Sequence, residues 1–313
     1  MDGLREDGAA AGEAATAGGD GLAAQRIRLF GAAYRMLGSA RGAEDVVRDA
    51  VAGLARLGPG APGDPYAWLV REVFGDALHH GETARGRREA QAGPWLPEPV
   101  LTEDGVLDRL ESAEGRESVS MARLVLLERL PPAERAAYVL HEVFGYGPAE
   151  TAAVLGLTEA RCLAMWRRAR QRVAEGEGAA RAEESGEQRR LVVTELIRAA
   201  AEQDQPALEE LLADDVVAWS DGGGRPGVVR RPVLGARKVG RFLAGLAVKI
   251  PAGTRARAAE VNGEVAVVAT AGAEILGVLV PEFGGQGLVG IRTVSDPARL
   301  VYFSRQWAAR AAG

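Results

Sequence analysis

The chain has 313 residues, of which 47% are hydrophobic, and a formal net charge of -5 at pH 7. This length and apolar content predict two or three folded domains and exclude a chain that is disordered throughout. The single cysteine, Cys162, excludes an internal disulfide and a multi-cysteine metal site. No segment is apolar over the roughly 18 residues of a membrane span, and the acidic start differs from a signal peptide. We therefore expect a cytoplasmic protein that does not contact membranes.

Two changes in composition divide the chain. Prolines cluster in residues 94–99, and residues 174–187 are Gly-rich and charged. The predicted organisation, in chain order, is a disordered tail over 1–20, a helical domain over 21–92, a Pro-rich linker over 93–105, a second helical domain over 106–173, a linker over 174–188 and an α+β domain over 189–313.

Apolar periodicity predicts the elements within these domains. In the first domain it predicts helices over 27–37, 43–57 and 65–78, the third weakened by Gly75 and Gly81. In the second domain it predicts helices over 119–130, 132–143, 148–155 and 159–173. In the third, helices over 191–202, 206–212 and 236–246 accompany β-like runs at 216–219, 228–232, 254–261, 264–270, 274–280 and 288–294. This order indicates an α+β domain with a curved antiparallel sheet.

The sequence PAETAAVLGLTEA at 148–160 has the pattern of a helix-turn-helix, in which Gly156 permits the turn and Leu157 fills the core. The second helix would lie in the DNA major groove. It carries the local positive charge that the acidic net balance hides, in the form of Arg161, Arg167, Arg168, Arg170 and Arg172. The alternative is an ordinary helical hairpin with a solvated arginine face.

Residues 28–39 (RLFGAAYRMLGS) and 43–49 (AEDVVRD) are similar to the sigma-2 domain of bacterial extracytoplasmic-function (ECF) sigma factors. Residues 130–135 (LPPAER) and 142–146 (EVFGY), which lead into the helix-turn-helix, are similar to sigma-4. The linker GPWLPEP at 93–99 resembles the ECF subgroup with a SnoaL-like C-terminal extension. Where that subgroup has DGGG followed by Lys and an Asn-Pro tail, this chain has DGGGR at 221–225 and SDPARL at 295–300.

The resemblance implies all-α sigma-2 and sigma-4 domains followed by an α+β domain of the NTF2-like cone fold. It also implies a sigma factor that binds core RNA polymerase and promoter DNA and needs no cofactor, metal or catalytic residue. In this subgroup the extension is thought to regulate the sigma module in cis, through an intramolecular contact. Whether the C-terminal domain also binds a small ligand of unknown identity is left open.

The resemblance assigns three sets of residues. The acidic helix would face polymerase through Glu44, Asp45, Val46 and Asp49. Contacts to DNA would come from Arg85, Arg87, Arg88, Thr158, Glu159, Arg161, Arg167, Arg168 and Arg170. The regulatory motifs are Trp95, Leu96, Pro97, Glu98 and Pro99 in the linker and Asp221, Gly222, Gly223, Gly224 and Arg225 in the extension.

Two alternatives remain at this point. His80 and Glu82 stand where relatives have arginines, and Leu163 and Ala164 offer no bidentate base contact, so a sigma-like regulator with weakened promoter recognition is possible. The other alternative is a C-terminal enzyme with Asp221 or Asp215 as its base, although no histidine follows His141. Three aromatic side chains could line its pocket or fill a core, with core favoured: Trp219, Phe242 and Trp307.

Overall fold

The computed structural model describes residues 24–60, 62–89, 94–102, 119–176, 185–224, 229 and 231–312. The predicted tail over 1–20 and Arg225 lie outside these residues. Among the helices that the structure describes, none combines the length and the apolar character that crossing a membrane requires.

The N-terminal part consists of α1 over 24–37, α2 (Ala40–Leu57) and α3 (Pro65–Glu89). Gly38, with φ of 61°, ends α1, and the Ser39 hydroxyl oxygen caps α2 by accepting from the Gly42 N–H at 3.0 Å. Helix α3 extends beyond its predicted end at residue 78 and continues through Gly81. A helical glycine costs only about 1 kcal/mol, and the apolar face of α3 packs into the same core as α1 and α2.

The next part consists of α4 (Met121–Glu128), α5 (Pro132–Phe144), α6 (Pro148–Leu155) and α7 (Glu159–Gly176). Prolines begin α5 and α6, and Gly145 and Gly156 end them in the left-handed conformation. The Phe144 ring packs between Tyr66 and Phe74, with centroids 6.4 and 5.9 Å away. The two helical parts therefore share one hydrophobic core.

The C-terminal part begins with α8 (Gly186–Glu202) and α9 (Gln205–Leu211) and continues into a mixed sheet with α10 (Ala236–Lys249) and α11 (Pro297–Ala312). Its strands are β1 (Leu212–Asp221), β2 (Val233–Leu234), β3 (Arg255–Val261), β4 (Glu264–Ala271), β5 (Glu274–Gly284) and β6 (Gly287–Val294). Within the described residues the strand order is β2-β1-β6-β5-β4-β3.

Alternation along the strands gives the sheet two apolar faces. One face packs against α8, α9 and α10, and the other packs against α11 and the linker residues Leu96 and Leu101. The candidate pocket aromatics also pack here, Phe242 on the first face and Trp219 and Trp307 on the second. This arrangement of helices around a mixed sheet confirms the predicted α+β class of the domain.

Three expectations for this domain are wrong. The pairing of β1 with β6 is parallel, because a long crossover and not a hairpin joins them. Residues 228 and 230 of the strand predicted at 228–232 lie outside the described residues. Residues 229, 231 and 232 are not in a strand, and the short β2 follows at Val233–Leu234, after Pro232, which has no N–H to donate. Helix α11 was not predicted, although Pro297 is a helix start signal and Leu300, Phe303 and Trp307 recur at helical spacing.

Candidate functional site

Helices α6 and α7 form the predicted helix-turn-helix. Gly156 adopts φ of 65° at the turn, and the Thr158 hydroxyl oxygen accepts from the Arg161 N–H at 3.4 Å. The inner face of α7 buries Cys162 and Met165 against α5 and α6. The outer face exposes most of the residues predicted to contact DNA, namely Thr158, Glu159, Arg161, Arg167, Arg168 and Arg170.

Glu134 on α5 belongs to this site but is not among the residues predicted from the sequence. Its carboxylate is 8% exposed and accepts from the Arg168 Nε at 2.8 Å and the Arg172 Nη1 at 2.5 Å. Two of the α7 cations therefore neutralise a buried anion and fix the angle between α5 and α7. The signal in the sequence was Glu134 of the LPPAER motif, which precedes a helix in which several arginines stand three or four residues apart.

The arginines predicted to meet DNA from the first domain lie in the last turns of α3, at Arg85, Arg87 and Arg88. The described part of the chain does not include their side chains. His80, one of the departures from the family, holds its Nδ1 2.8 Å from the Asp76 carbonyl oxygen on the same helix.

The predicted polymerase-facing residues occupy different environments on α2. Asp45 and Asp49 lie on the surface and both pair with Arg48, at 2.8 and 3.4 Å. Val46 is only 3% exposed, so its side chain packs in the core and does not face a partner. The Glu44 carboxylate lies 2.5 Å from the Arg305 guanidinium on α11, which places the C-terminal domain on this surface.

The linker and the DGGG loop meet at Arg299. The Asp221 Oδ2 accepts from the Leu96 backbone N–H at 3.0 Å and forms an ion pair with the Arg299 Nε, also at 3.0 Å. The Arg299 Nη1 donates to the Leu96 carbonyl oxygen at 2.9 Å, and the guanidinium stacks on the Trp95 ring at 4.6 Å. We call these four residues the linker clamp. Burial lowers the pKa of Arg299, although nearby Asp221 opposes this shift.

The glycines after Asp221 serve this clamp. Gly223 has φ of 65°, and its N–H donates to the Asp221 Oδ1 at 3.2 Å. A Cβ atom at Gly223 would lie 2.5 Å from the Asp296 Oδ2, so a larger residue would push the Asp296 carboxylate aside and would also be strained at this positive φ. The DGGG motif is thus a tight turn that orients Asp221 between α11 and the linker.

Glu98 fixes the other half of the linker to the N-terminal domain. Its carboxylate accepts from the Ser39 hydroxyl at 2.9 Å and from the Arg41 N–H at 3.0 Å, at the first turn of α2. Its backbone N–H donates to the Gly38 carbonyl at 2.9 Å. Pro97 and Pro99 are buried on either side and keep this stretch extended.

Asn262 is a second residue that the sequence reading missed, and it joins all parts of the chain. It lies with Gly263 in the turn between β3 and β4, at φ of 55°, and is fully buried. Its Oδ1 accepts from the Val100 N–H at 3.1 Å. Its Nδ2 donates to the Tyr34 hydroxyl at 2.8 Å and to the Val119 carbonyl at 2.9 Å.

The two candidate catalytic bases, Asp221 and Asp215, lie in different environments. The Asp221 carboxylate accepts hydrogen bonds from the linker and from its own loop, and it pairs with Arg299 of α11. Asp215 is exposed on β1. The features that the structure brings together are a helix-turn-helix, an acidic helix, and a linker held by the C-terminal domain.

Comparison with known proteins identifies the class first: residues 123–173 match the family Sigma-70, region 4. The chain is 36% identical to the ECF RNA polymerase sigma factor SigJ of Mycobacterium tuberculosis (strain ATCC 25618 / H37Rv) over 245 residues, 77% of this chain and 78% of that protein. It is 31% identical to the probable ECF RNA polymerase sigma factor SigI of M. tuberculosis (strain CDC 1551 / Oshkosh) over 279 residues, 88% and 92% of the two chains.

The crystal structure of M. tuberculosis SigJ superposes with a TM-score of 0.67 at 29% identity and covers 90% of this chain and 98% of that one. The chain therefore belongs to the ECF RNA polymerase sigma factors.

Proposed function

We propose that this protein binds core RNA polymerase through α2 and directs it to promoters through the helix-turn-helix of α6 and α7. We also propose that its C-terminal domain regulates both steps in cis, in the cytoplasm where the polymerase acts. The observation that carries the proposal is the linker clamp, in which Asp221 and Arg299 hold the segment that joins the two sigma domains.

Reading a promoter requires this arrangement to open. The resemblance to sigma-2 and sigma-4 assigns the two helical parts to two separate promoter boxes, the downstream (−10) and the upstream (−35) box. In the structure both helical parts share one core, with Phe144 of α5 packed against α3. The linker clamp stabilises this closed state, so its release shifts the population towards the state that spans both boxes.

Few side chains of α7 are available to recognise promoter bases. Ala164 is exposed but has no hydrogen-bonding side chain, and Arg168 pairs with Glu134. Exposed groups near the N-terminus of α7 that suit base edges are Glu159 and Arg161. This sparse surface favours, as a second candidate function, a sigma-like regulator that binds polymerase but reads promoters weakly.

The test is transcription by the full chain with core polymerase on genomic DNA fragments, followed by sequencing of the bound DNA. We expect a common promoter motif, and we expect Arg161→Ala to weaken promoter binding about 5- to 100-fold, because a base contact contributes about 1–3 kcal/mol. Arg190→Ala, an exposed arginine on α8, is the matched control. Polymerase binding without any enriched motif would favour the regulator instead.

A further inference from the structure

Helix α11 lies against the N-terminal domain as well as its own sheet. The Tyr302 ring stacks on Phe30 of α1, with centroids 5.7 Å apart and planes 17° apart. One turn further along, Arg305 reaches Glu44 of α2 at 2.5 Å. The Arg305 guanidinium also stacks on the Tyr302 ring at 5.2 Å. These two α11 side chains therefore cover a patch of α1 and α2 that contains one of the predicted polymerase-facing acids.

This contact is much more open to water than the linker clamp. The side chains of Arg305 and Glu44 are 57% and 41% exposed, whereas the Asp221 side chain in the clamp is 0% exposed. A groove of about 560 Å³ borders the clamp, and a second groove of about 370 Å³ remains between α11 and α1/α2. The second groove is lined by Arg26, Ile27, Phe30, Glu44, Tyr302 and Arg305, so the cover is packed incompletely.

We infer that α11 is a displaceable cover on the polymerase-binding face of α2, and that it detaches before the linker clamp opens. This inference rests on the proposed function, which places polymerase on α2. An ion pair exposed to water contributes little to stability and is screened by salt, whereas a buried pair resists separation. A basic polymerase surface can take the place of Arg305 at Glu44, so the incoming partner replaces the attraction that it removes.

The experiment uses full-length variants and two measurements: the affinity for core polymerase, and amide hydrogen exchange of the free protein. Arg305→Glu places two like charges together, and we expect it to raise polymerase affinity about three- to tenfold. Amides of α11 should exchange faster in this variant, while the Leu96 amide in the linker clamp stays protected. Tyr302→Ala, which removes the ring stack, should act in the same direction.

Two controls separate the inference from the proposed function. Arg310→Glu makes the same charge change on the same helix, where the guanidinium lies over Trp307, and should leave polymerase affinity within about twofold. Asp49→Arg, on the open part of α2, should lower the affinity at least about tenfold.

Each result has a single interpretation. If Asp49→Arg leaves the affinity unchanged, α2 is not the polymerase surface and that part of the proposed function fails. If Asp49→Arg lowers the affinity but Arg305→Glu and Tyr302→Ala do not raise it, the cover is refuted. If Arg305→Glu also deprotects the Leu96 amide, the two contacts open together and the proposed order is wrong.

Discussion

Replacing Asp221 with Asn tests whether the linker clamp holds the closed state. The substitution keeps the size of the side chain and removes its charge. Arg299, whose side chain is 14% exposed, would then remain buried without its anion, and the new amide N–H₂ would face another donor. Removing one partner of a buried ion pair costs about 3–5 kcal/mol. The equilibrium for release of the linker should therefore shift by roughly 10²- to 4 × 10³-fold.

Hydrogen exchange of the Leu96 amide measures this release directly, because that N–H donates to Asp221 at 3.0 Å. In Asp221→Asn the amide should lose protection by the factor above, while amides in the core of α1 and α2 change little. Asp215→Ala is the matched control, since it removes an exposed carboxylate from the same strand.

The double variant Asp221→Asn/Arg299→Leu should recover part of the lost stability, because no buried charge then lacks a counterion. If Leu96 exchanges at the same rate in Asp221→Asn as in the unmodified chain, the carboxylate does not hold the linker and the reasoning fails.

Three further predictions concern the other contacts. Asn262→Gly keeps the left-handed turn but leaves buried polar groups without partners, so urea unfolding should show a loss of about 3 kcal/mol; no loss would refute its bridging role. Glu134→Gln should lower the stability by about 1–3 kcal/mol and increase DNA binding by Arg168, measured as a steeper salt dependence; a shallower slope would contradict it. Burial, and to a smaller extent the nearby Glu44 carboxylate, raises the pKa of Tyr302 to about 12. The free energy of unfolding should therefore fall as pH rises from about 10 to about 12, and Tyr302→Phe should remove that part of the fall.

Local signals explain what the sequence predicted well. Helix boundaries at Pro132, Pro148, Gly145 and Gly156 depend on neighbouring residues, and the structure places helix ends at all four. The parallel pairing of β1 with β6 could not be predicted from such local signals. Periodicity shows which face of a strand is buried, but it does not show the direction in which the strand runs.

The contacts that join the domains connect residues far apart in sequence, and so they escaped prediction. Asn262 and Tyr34 are 228 residues apart, and Arg305 and Glu44 are 261 apart. The resemblance singled out both the linker motif and the DGGG motif, but nothing in either motif indicates that Arg299 bridges them. An Asn-Gly pair predicts a hairpin turn, whereas the use of its side chain depends on the packed structure.

Under the proposed regulation in cis, the covalent tether explains how a contact as exposed as that of α11 can still matter. A tethered domain has an effective concentration in the millimolar range, so a contact with an intrinsic dissociation constant of about 10 μM stays about 99% formed. A separate inhibitor would need far tighter binding at cellular concentrations. Weak contacts on α2 and strong ones on the linker therefore suffice for a closed state that polymerase can open one contact at a time.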